Sequence, residues 1–341
     1  MEKVTTLGVD LAKTIFQVCG MTSHGKVVFN KKLRRNQFLK FVCQLPKCTV
    51  GMEACSSSHY WARELIKLGY DAKLMAPQFV KPYVKTNKND AADAQAICEA
   101  VTRPSMRFVD VKTDMQQALL LLHRDRSGLI RDRTSLVNRL RASMAEFGVI
   151  APQGINKLRE WLVHDYGKFE DLLPIPMQHQ VKRFSDRLRL IDNDIKTLED
   201  EVSFHTRDDK NYERLLKIPG VGTLTASALV ATIGSASSFK NGRQLAAWLG
   251  LVPRQHSSGG KQQLFGISKR GDVYLRTLLI HGARAMVRHL NPRRQISHWI
   301  NQMLSRTHKN KVIVAVANKI ARIVWAVMHK EVDYDDACVA S

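Results

Sequence analysis

No stretch of this 341-residue chain offers the ~18–20 consecutive apolar residues that a bilayer span needs. Residues 312–328 come nearest, but Asn318, Lys319 and Arg322 interrupt them, so a buried amphipathic helix is expected there. The N-terminus lacks the basic-then-apolar order of a secretory signal. The six cysteines (Cys19, Cys43, Cys48, Cys55, Cys98 and Cys338) have neither CxxC spacing nor the regularity of a disulfide framework. They read as reduced thiols, and so as those of a cytoplasmic protein. Acidic residues are scarce as well: 31 stand against 53 lysines and arginines, for a formal charge of +22. That surplus predicts a polyanionic partner whose affinity falls as salt rises, and with no span a nucleic acid fits better than a membrane. No zinc finger or leucine zipper is present to read a DNA sequence.

Against this scarcity, the placement of a few acids matters. Residues 87–99 open with Asn and Asp, are rich in alanine, and read as a helix start. Asp90 and Asp93 lie three residues apart, so their carboxylates share one face of the first turn. One reading makes Asp90 the helix cap and Asp93 a partner of the helix dipole. The other makes them oxygen ligands of a hard cation such as Mg²⁺.

The chain is long enough for two or three domains. Strands are expected at 4–9, 14–21, 26–30, 48–52 and 72–76, helices at 36–45 and 59–68, and a basic loop at 77–88. This βββαβαβα order makes residues 1–110 an α/β domain, with Asp10 and Glu53 at the carboxyl ends of strands, where open sheets gather ligands. Four carboxylates, Asp10, Glu53, Asp90 and Asp93, suit metal-assisted phosphoryl transfer.

Residues 111–208 read as long helices. The first, at 114–147, carries Arg124, Arg126, Arg131, Arg133, Arg139 and Arg141, a face for nucleic-acid backbone or for solvent. An irregular linker is expected at 153–173. Val181, Phe184, Leu188, Ile191, Ile195, Leu198 and Val202 then repeat at 3,4 spacing, a coiled-coil seam whose partner is either the first helix or another protomer. Residues 209–330 form a mostly α-helical third region. Its Pro-Gly-Val-Gly turn, with Gly220 and Gly222, is like the hairpin of helix-hairpin-helix modules and can offer backbone N–H groups to a phosphate, or be a plain turn. A short helix at 239–250 should bury Trp248. Residues 251–261 are expected to be a flexible loop, in which Arg254, His256 and Lys261 could surround a phosphate and a serine could attack phosphorus. Lys269, Arg270 and Arg276 are further candidates for phosphate contact. The acidic end of the chain, 331–341, is expected to fray.

The Gly-Val-Asp strand, Met-Glu-Ala, Lys-Asn-Asp-Ala-Ala-Asp, Ile-Pro-Gly-Val-Gly, Leu-Ala-Ala-Trp-Leu-Gly-Leu-Val-Pro and Ser-Ser-Gly-Gly-Lys occur here in one chain. Together they resemble the DEDD transposases of bacterial insertion sequences, relatives of the pilin-gene invertase. The likeness runs from residue 4 to about 328. It implies a RuvC-like (RNase H-type) N-terminal domain whose Asp10, Glu53, Asp90 and Asp93 bind Mg²⁺, with Mn²⁺ as a substitute. It implies a serine nucleophile, matched at Ser258 with Ser257 just before it, that joins covalently to DNA. A noncoding bridge RNA would pair with donor and target DNA, and strands would be exchanged through a Holliday junction. The protein would be a homo-oligomer, a dimer or a tetramer in the synaptic complex, with the serine of one protomer meeting the carboxylates of another. It would be cytoplasmic and nucleoid-associated, with no membrane partner. Two rival readings are a structure-selective Mg²⁺-dependent endonuclease that uses water, and a non-catalytic nucleic-acid scaffold.

Overall fold

The computed structural model describes residues 3–84, 89–234, 236–258 and 261–336, and the side chains of Ser258 and Lys261 lie outside the described set. Two compact units emerge, residues 1–116 with 233–240 and residues 117–232 with 241–341.

The first unit is built on a six-stranded mixed sheet in the order β3-β2-β1-β4-β5-β6. Its strands are β1 (Thr6–Asp10), β2 (Ile15–Met21), β3 (Val27–Arg34), β4 (Thr49–Glu53), β5 (Asp71–Met75) and β6 (Phe108–Val109). The helices are α1 (Phe38–Val42), α2 (Ser58–Lys67), α3 (Pro77–Val80) and α4 (Asp90–Val101). β1 runs antiparallel to β2 and parallel to β4. The five expected strands are all present. β6 was not foreseen, since two residues carry no periodicity. The expected basic loop at 77–88 begins as α3 and a 3-10 turn at Lys81–Tyr83, and residues 85–88 lie outside the described residues.

One face of the sheet is filled by alternate strand residues. Leu7, Val9, Phe16, Val18, Val50 and Met52 pack with Phe38 and Val42 of α1 and Trp61 and Leu65 of α2. Phe16, Phe38 and Trp61 meet edge to face at 5.2–5.4 Å. α4 covers the opposite face, where its Ala94 and Cys98 join Cys19 and Met21.

The second unit is mostly helical: α5 (Asp114–Ala145), α6 (Ile155–His164), α7 (Ile175–Thr206), α8 (Lys210–Leu216), α9 (Thr223–Ile233), α10 (Gly242–Trp248), α11 (Val273–Arg288), α12 (Gln295–Leu304) and α13 (Lys309–Lys330). The first turn of α5 belongs to the first unit. The linker expected at 153–173 is in fact α6 and two 3-10 turns, because Leu158, Trp161 and Phe169 join an apolar cluster.

The coiled-coil seam finds its partner within the chain. Val181 and Leu188 of α7 pack with Leu136, Leu140 and Met144 of α5. Arg126 bonds Glu199 and Arg133 bonds Asp192, so a seven-residue step up α5 is a seven-residue step down α7. The pair is therefore antiparallel. These ion pairs also correct the expectation for the arginine face. Arg126 and Arg133 are spent on α7, Arg141 donates to the carbonyls of Pro152 and Gly154, and Arg139 lies over Phe184. Arg124 and Arg131 remain exposed.

α13 is long and apolar enough to cross a membrane by length and composition alone. Here it is the core helix expected from the sequence, with Val312, Val316, Ile320 and Val324 fully buried. Trp248 departs from expectation: it is 38% exposed, because α10 buries Leu245 and Ala246 instead. The segment at 331–336, expected to fray, is tied down where described. Asp333 pairs with Lys217, and Asp336 accepts the Gln295 N–H.

Candidate active site

Parity along the strands decides which side chains meet. Leu7, Val9, Val50 and Met52 face α1 and α2, so Gly8, Asp10, Gly51 and Glu53 face α4. Val9 stands opposite Met52 in the parallel pair, so Asp10 and Glu53 end neighbouring strands side by side, about 4.8 Å apart at the backbone. The Cys55 thiol registers both acids. Partial burial, then the charges of Glu53 and Asp10, push it above the usual thiol range.

α4 reaches this edge because two glycines let it. A Cβ on Gly8 would run into the Ala94 carbonyl and stand 2.8 Å from the Cys98 nitrogen, and one on Gly51 would stand 2.9 Å from the Val101 Cβ. Asn89, not Asp90, caps the helix: its Oδ1 accepts the Ala92 N–H at 2.8 Å. Asp90 is thereby released from the capping role that the sequence allowed it. It pairs with Lys32 at 3.5 Å in a solvent-exposed contact. Asn30 Nδ2 donates to the Ala91 carbonyl at 2.9 Å, tying the same turn to β3.

The register also brings in residues that sequence alone did not single out. Asp10, Gln17 and Lys32 lie in one row across β1, β2 and β3. Gln17 is buried and donates from Nε2 to Asn30 Oδ1, while its Oε1 has no partner among the described residues. Its place follows from strand pairing, which no local motif encodes.

The donor set is all oxygen, which fits a hard divalent cation, and the orphaned Gln17 Oε1 beside Asp10 adds an unspent acceptor. Among the described residues no three acids, histidines or cysteines already stand close enough to hold an ion. Asp10 and Glu53 are neighbours, and Asp90 would have to leave Lys32. An exposed pair of this kind contributes only ~0–1 kcal/mol, so the exchange is cheap.

The serine segment is not the loose loop expected. β7 (Pro253–Ser258) and β8 (Lys261–Ile267) form an antiparallel hairpin with Ser258 opposite Lys261. Strand propensity is low here, and pairing rather than composition makes the element. Gly259 and Gly260 lie outside the described residues. Ser257 accepts the Gln255 amide at 2.7 Å. Arg254, His256, Lys269 and Arg270 are exposed and available to an anion. Arg276 is not. It is 7% exposed, and its Nη1 donates to the carbonyls of Leu249 at 2.9 Å and Arg270 at 2.8 Å. It props the base of the hairpin, which corrects its expected contact with phosphate.

Gly220 and Gly222 sit between α8 and α9. Gly220 takes φ +81°, and a Cβ on Gly282 of α11 would run into its carbonyl, while one on Gly220 would stand 3.1 Å from the Gly282 carbonyl. Gly222 is exposed. A cavity of about 780 Å³ opens here, and Glu199 and Asp200 share its walls with the turn and His281. Those two acids oppose a phosphate at the turn itself.

Sequence reading also passed over a buried polar chain in the second unit. Ser227 Oγ and Tyr274 OH each lie 3.0 Å from the ring nitrogens of His123. Burial, then the nearby Arg126, lowers the His123 pKa to about 4. Ser227 and His123 are sealed from solvent, so this is scaffolding.

Residues 7–148 match the model of a DEDD-type transposase of IS110 elements, and residues 212–298 match that of the IS116/IS110/IS902 transposases. A probable family 20 transposase of Pseudomonas aeruginosa is 50% identical over 333 residues, 97% of this chain and 98% of that protein. The transposase of element IS1328 from Yersinia enterocolitica is 41% identical, covering 96% and 97%. The pilin gene-inverting protein of Moraxella lacunata is more distant, at 24% over 97% and 98%.

Proposed function

This chain belongs to the IS116/IS110/IS902 family of insertion-sequence transposases, and we propose that it is an RNA-guided DNA recombinase with a serine nucleophile and a divalent-metal carboxylate site. The observation that supports this reading is that Asp10 and Glu53 end neighbouring strands on the sheet face that α4 covers, with Asp90 and Asp93 in the first turn of that helix. A bound Mg²⁺ would supply positive charge to a phosphodiester in transit. Asp10, Glu53, Asp90 and Asp93 would hold it, and the +22 surface would draw the DNA to it.

In the proposed step, the Ser258 hydroxyl forms a new O–P bond while the P–O3′ bond breaks. The serine proton ends on the departing 3′ oxygen, leaving a phosphoserine and a free 3′ hydroxyl. One phosphodiester replaces another, so strands can be rejoined without an external energy source. The exposed position of β7 favours such an arm. Base pairing by a bridge RNA would carry target choice, in line with the lack of a sequence-reading element. A multimer would use surfaces other than the α7 seam, which α5 occupies.

A denaturing gel for a protein–DNA adduct tests the reading. The protein is co-expressed with its flanking noncoding DNA and supplied with Mg²⁺, donor and target duplexes. An adduct lost in Ser258→Ala and kept in Ser257→Ala is expected. Asp10→Asn should slow cleavage by about 10²–10³, several kcal/mol of lost charge stabilisation. Metal-dependent cleavage without adduct in any lane would replace the serine with water.

A further inference from the structure

At the end of the sheet where Asp10 stands, the first unit has a concavity that the carboxylate chemistry does not use. It is about 610 Å³, within the ~300–1,000 Å³ range of small-ligand sites. The loop that leaves Asp10 forms one rim with Lys13 and Thr14, and the start of β2 adds Ile15. Arg34 and Arg35, at the end of β3, form the other rim, and Trp61 of α2 lies between them. Three cationic side chains therefore face one hollow, all exposed, and among the described residues no acid lines it.

The aromatic wall is unusual. Trp61 is 5% exposed and packed against Phe16 and Phe38, yet its indole N–H has no hydrogen-bond partner among the described residues. A buried unsatisfied donor costs about 1–3 kcal/mol, so it calls for an acceptor. Arg35 lies over the indole with its guanidinium carbon 4.9 Å from the ring centre. That offers a planar cation on which a base can stack, beside the exposed Ile15.

We propose that this concavity binds one unpaired nucleotide of a DNA strand, with its phosphate on Lys13, Arg34 and Arg35 and its base against the Arg35–Trp61 stack. Concavity, three clustered cations and an unspent donor suit a splayed nucleotide, whereas a duplex keeps its bases stacked and its edges paired. The inference deepens the proposed function and rests on it, since the pocket would hold DNA beside the strand end that carries Asp10.

The test is fluorescence anisotropy with the full-length protein and three labelled probes: a short DNA strand, the same sequence as RNA, and the DNA duplex. Arg34→Ala/Arg35→Ala should weaken the DNA strand by at least about tenfold, lower its salt slope by about 0.7 per arginine, and change duplex affinity less than about twofold. Trp61→Phe keeps the ring and removes the N–H, and should cost about 3–10-fold on the same strand. It should also remove part of the tryptophan emission change on binding. Undiminished strand binding in the double variant, equal loss on the duplex, or loss on RNA alone would each overturn the proposal. Asp10→Asn, run alongside, separates the two readings. Strand affinity kept with cleavage lost upholds the carboxylate site whatever the pocket does, and cleavage retained in Asp10→Asn removes that site and this inference with it.

Discussion

The carboxylate edge is made by backbone pressed on backbone, with α4 seated on Gly8 and Gly51, while the serine segment is two strands with little core beneath them. Leu264 is 59% exposed and Phe265 41%, and a lone two-stranded hairpin is marginal in water. What fixes the hairpin is its base. There Arg276 bonds two carbonyls, and Gly250 and Gly271, both at φ +71°, fold tightly against Arg270 and Trp248. In the proposed reading, groups that hold an ion need rigid support, and a group that reaches a strand of DNA gains from projecting out of its domain. The contrast is between a site held along its length and an arm held at one end.

The largest expected effect tests the support behind that arm. α11 carries both Arg276 and Tyr274, and Tyr274 leads through His123 to Ser227. The groups facing the imidazole are Ser227, Tyr274 and Arg126, none of them an acid. His123 stays neutral in the folded protein down to about pH 4, whereas an unfolded histidine takes a proton near 6.5. The unfolded state thus binds more protons between those values, so stability from this group is complete above pH 6.5 and is lost as pH falls toward 4. The loss amounts to ~3 kcal/mol. Urea unfolding at pH 7 and pH 4.5 should show it, and His123→Asn should flatten that part of the profile. A wild-type profile no steeper than the variant's would mean that the base of the arm does not depend on this chain.

Much of the first unit was legible in the sequence. A short apolar run marked β1, alternation marked β2, and strand ends marked Asp10 and Glu53, because these signals are local. Gln17 and Lys32 were not legible as neighbours of Asp10, since cross-strand register appears only once strands pair. The hairpin escaped for a related reason: Gln255–Gln263 is polar and lacks period-two hydrophobicity, and its partner strand supplies the order. Arg276 misled because charge alone says nothing of burial, and α11 turns that position inward beside Leu275 and Leu279. The α7 seam was legible as a seam, but its partner α5 appears only in the packing of Val181 and Leu188 against Leu136 and Leu140 and in the matched ion pairs.

The next effect is smaller and tests the rigid edge. Gly8→Ala drives a methyl into the Ala94 carbonyl, which belongs to helix backbone and cannot swing away as a side chain would. Overpacking of this kind costs about 1–3 kcal/mol. It should also shift the first turn of α4 away from Asp10 and Glu53. Thermal unfolding and Mg²⁺-dependent cleavage should fall together. A variant that loses stability and keeps full cleavage would show that the placement of Asp90 and Asp93 does not matter.

The smallest effect is the matching substitution in the arm. Gly266 lies in β8 with no atom of the described residues within 4 Å of an added Cβ, so Gly266→Ala meets no obstacle among them. Alanine restricts the unfolded chain more than glycine does, and glycine weakens a strand interior, so the change should be neutral or slightly stabilising, within about 0.5 kcal/mol. Adduct formation should match the wild type. The pair of variants isolates one variable, because the same methyl group enters a strand in both. If Gly266→Ala instead abolished the adduct at unchanged stability, a ligand would have to approach the β8 backbone closely where the free protein is open. The arm would then be a second close-fitting surface, completed by DNA, and the contrast with the carboxylate edge would fail in the bound state.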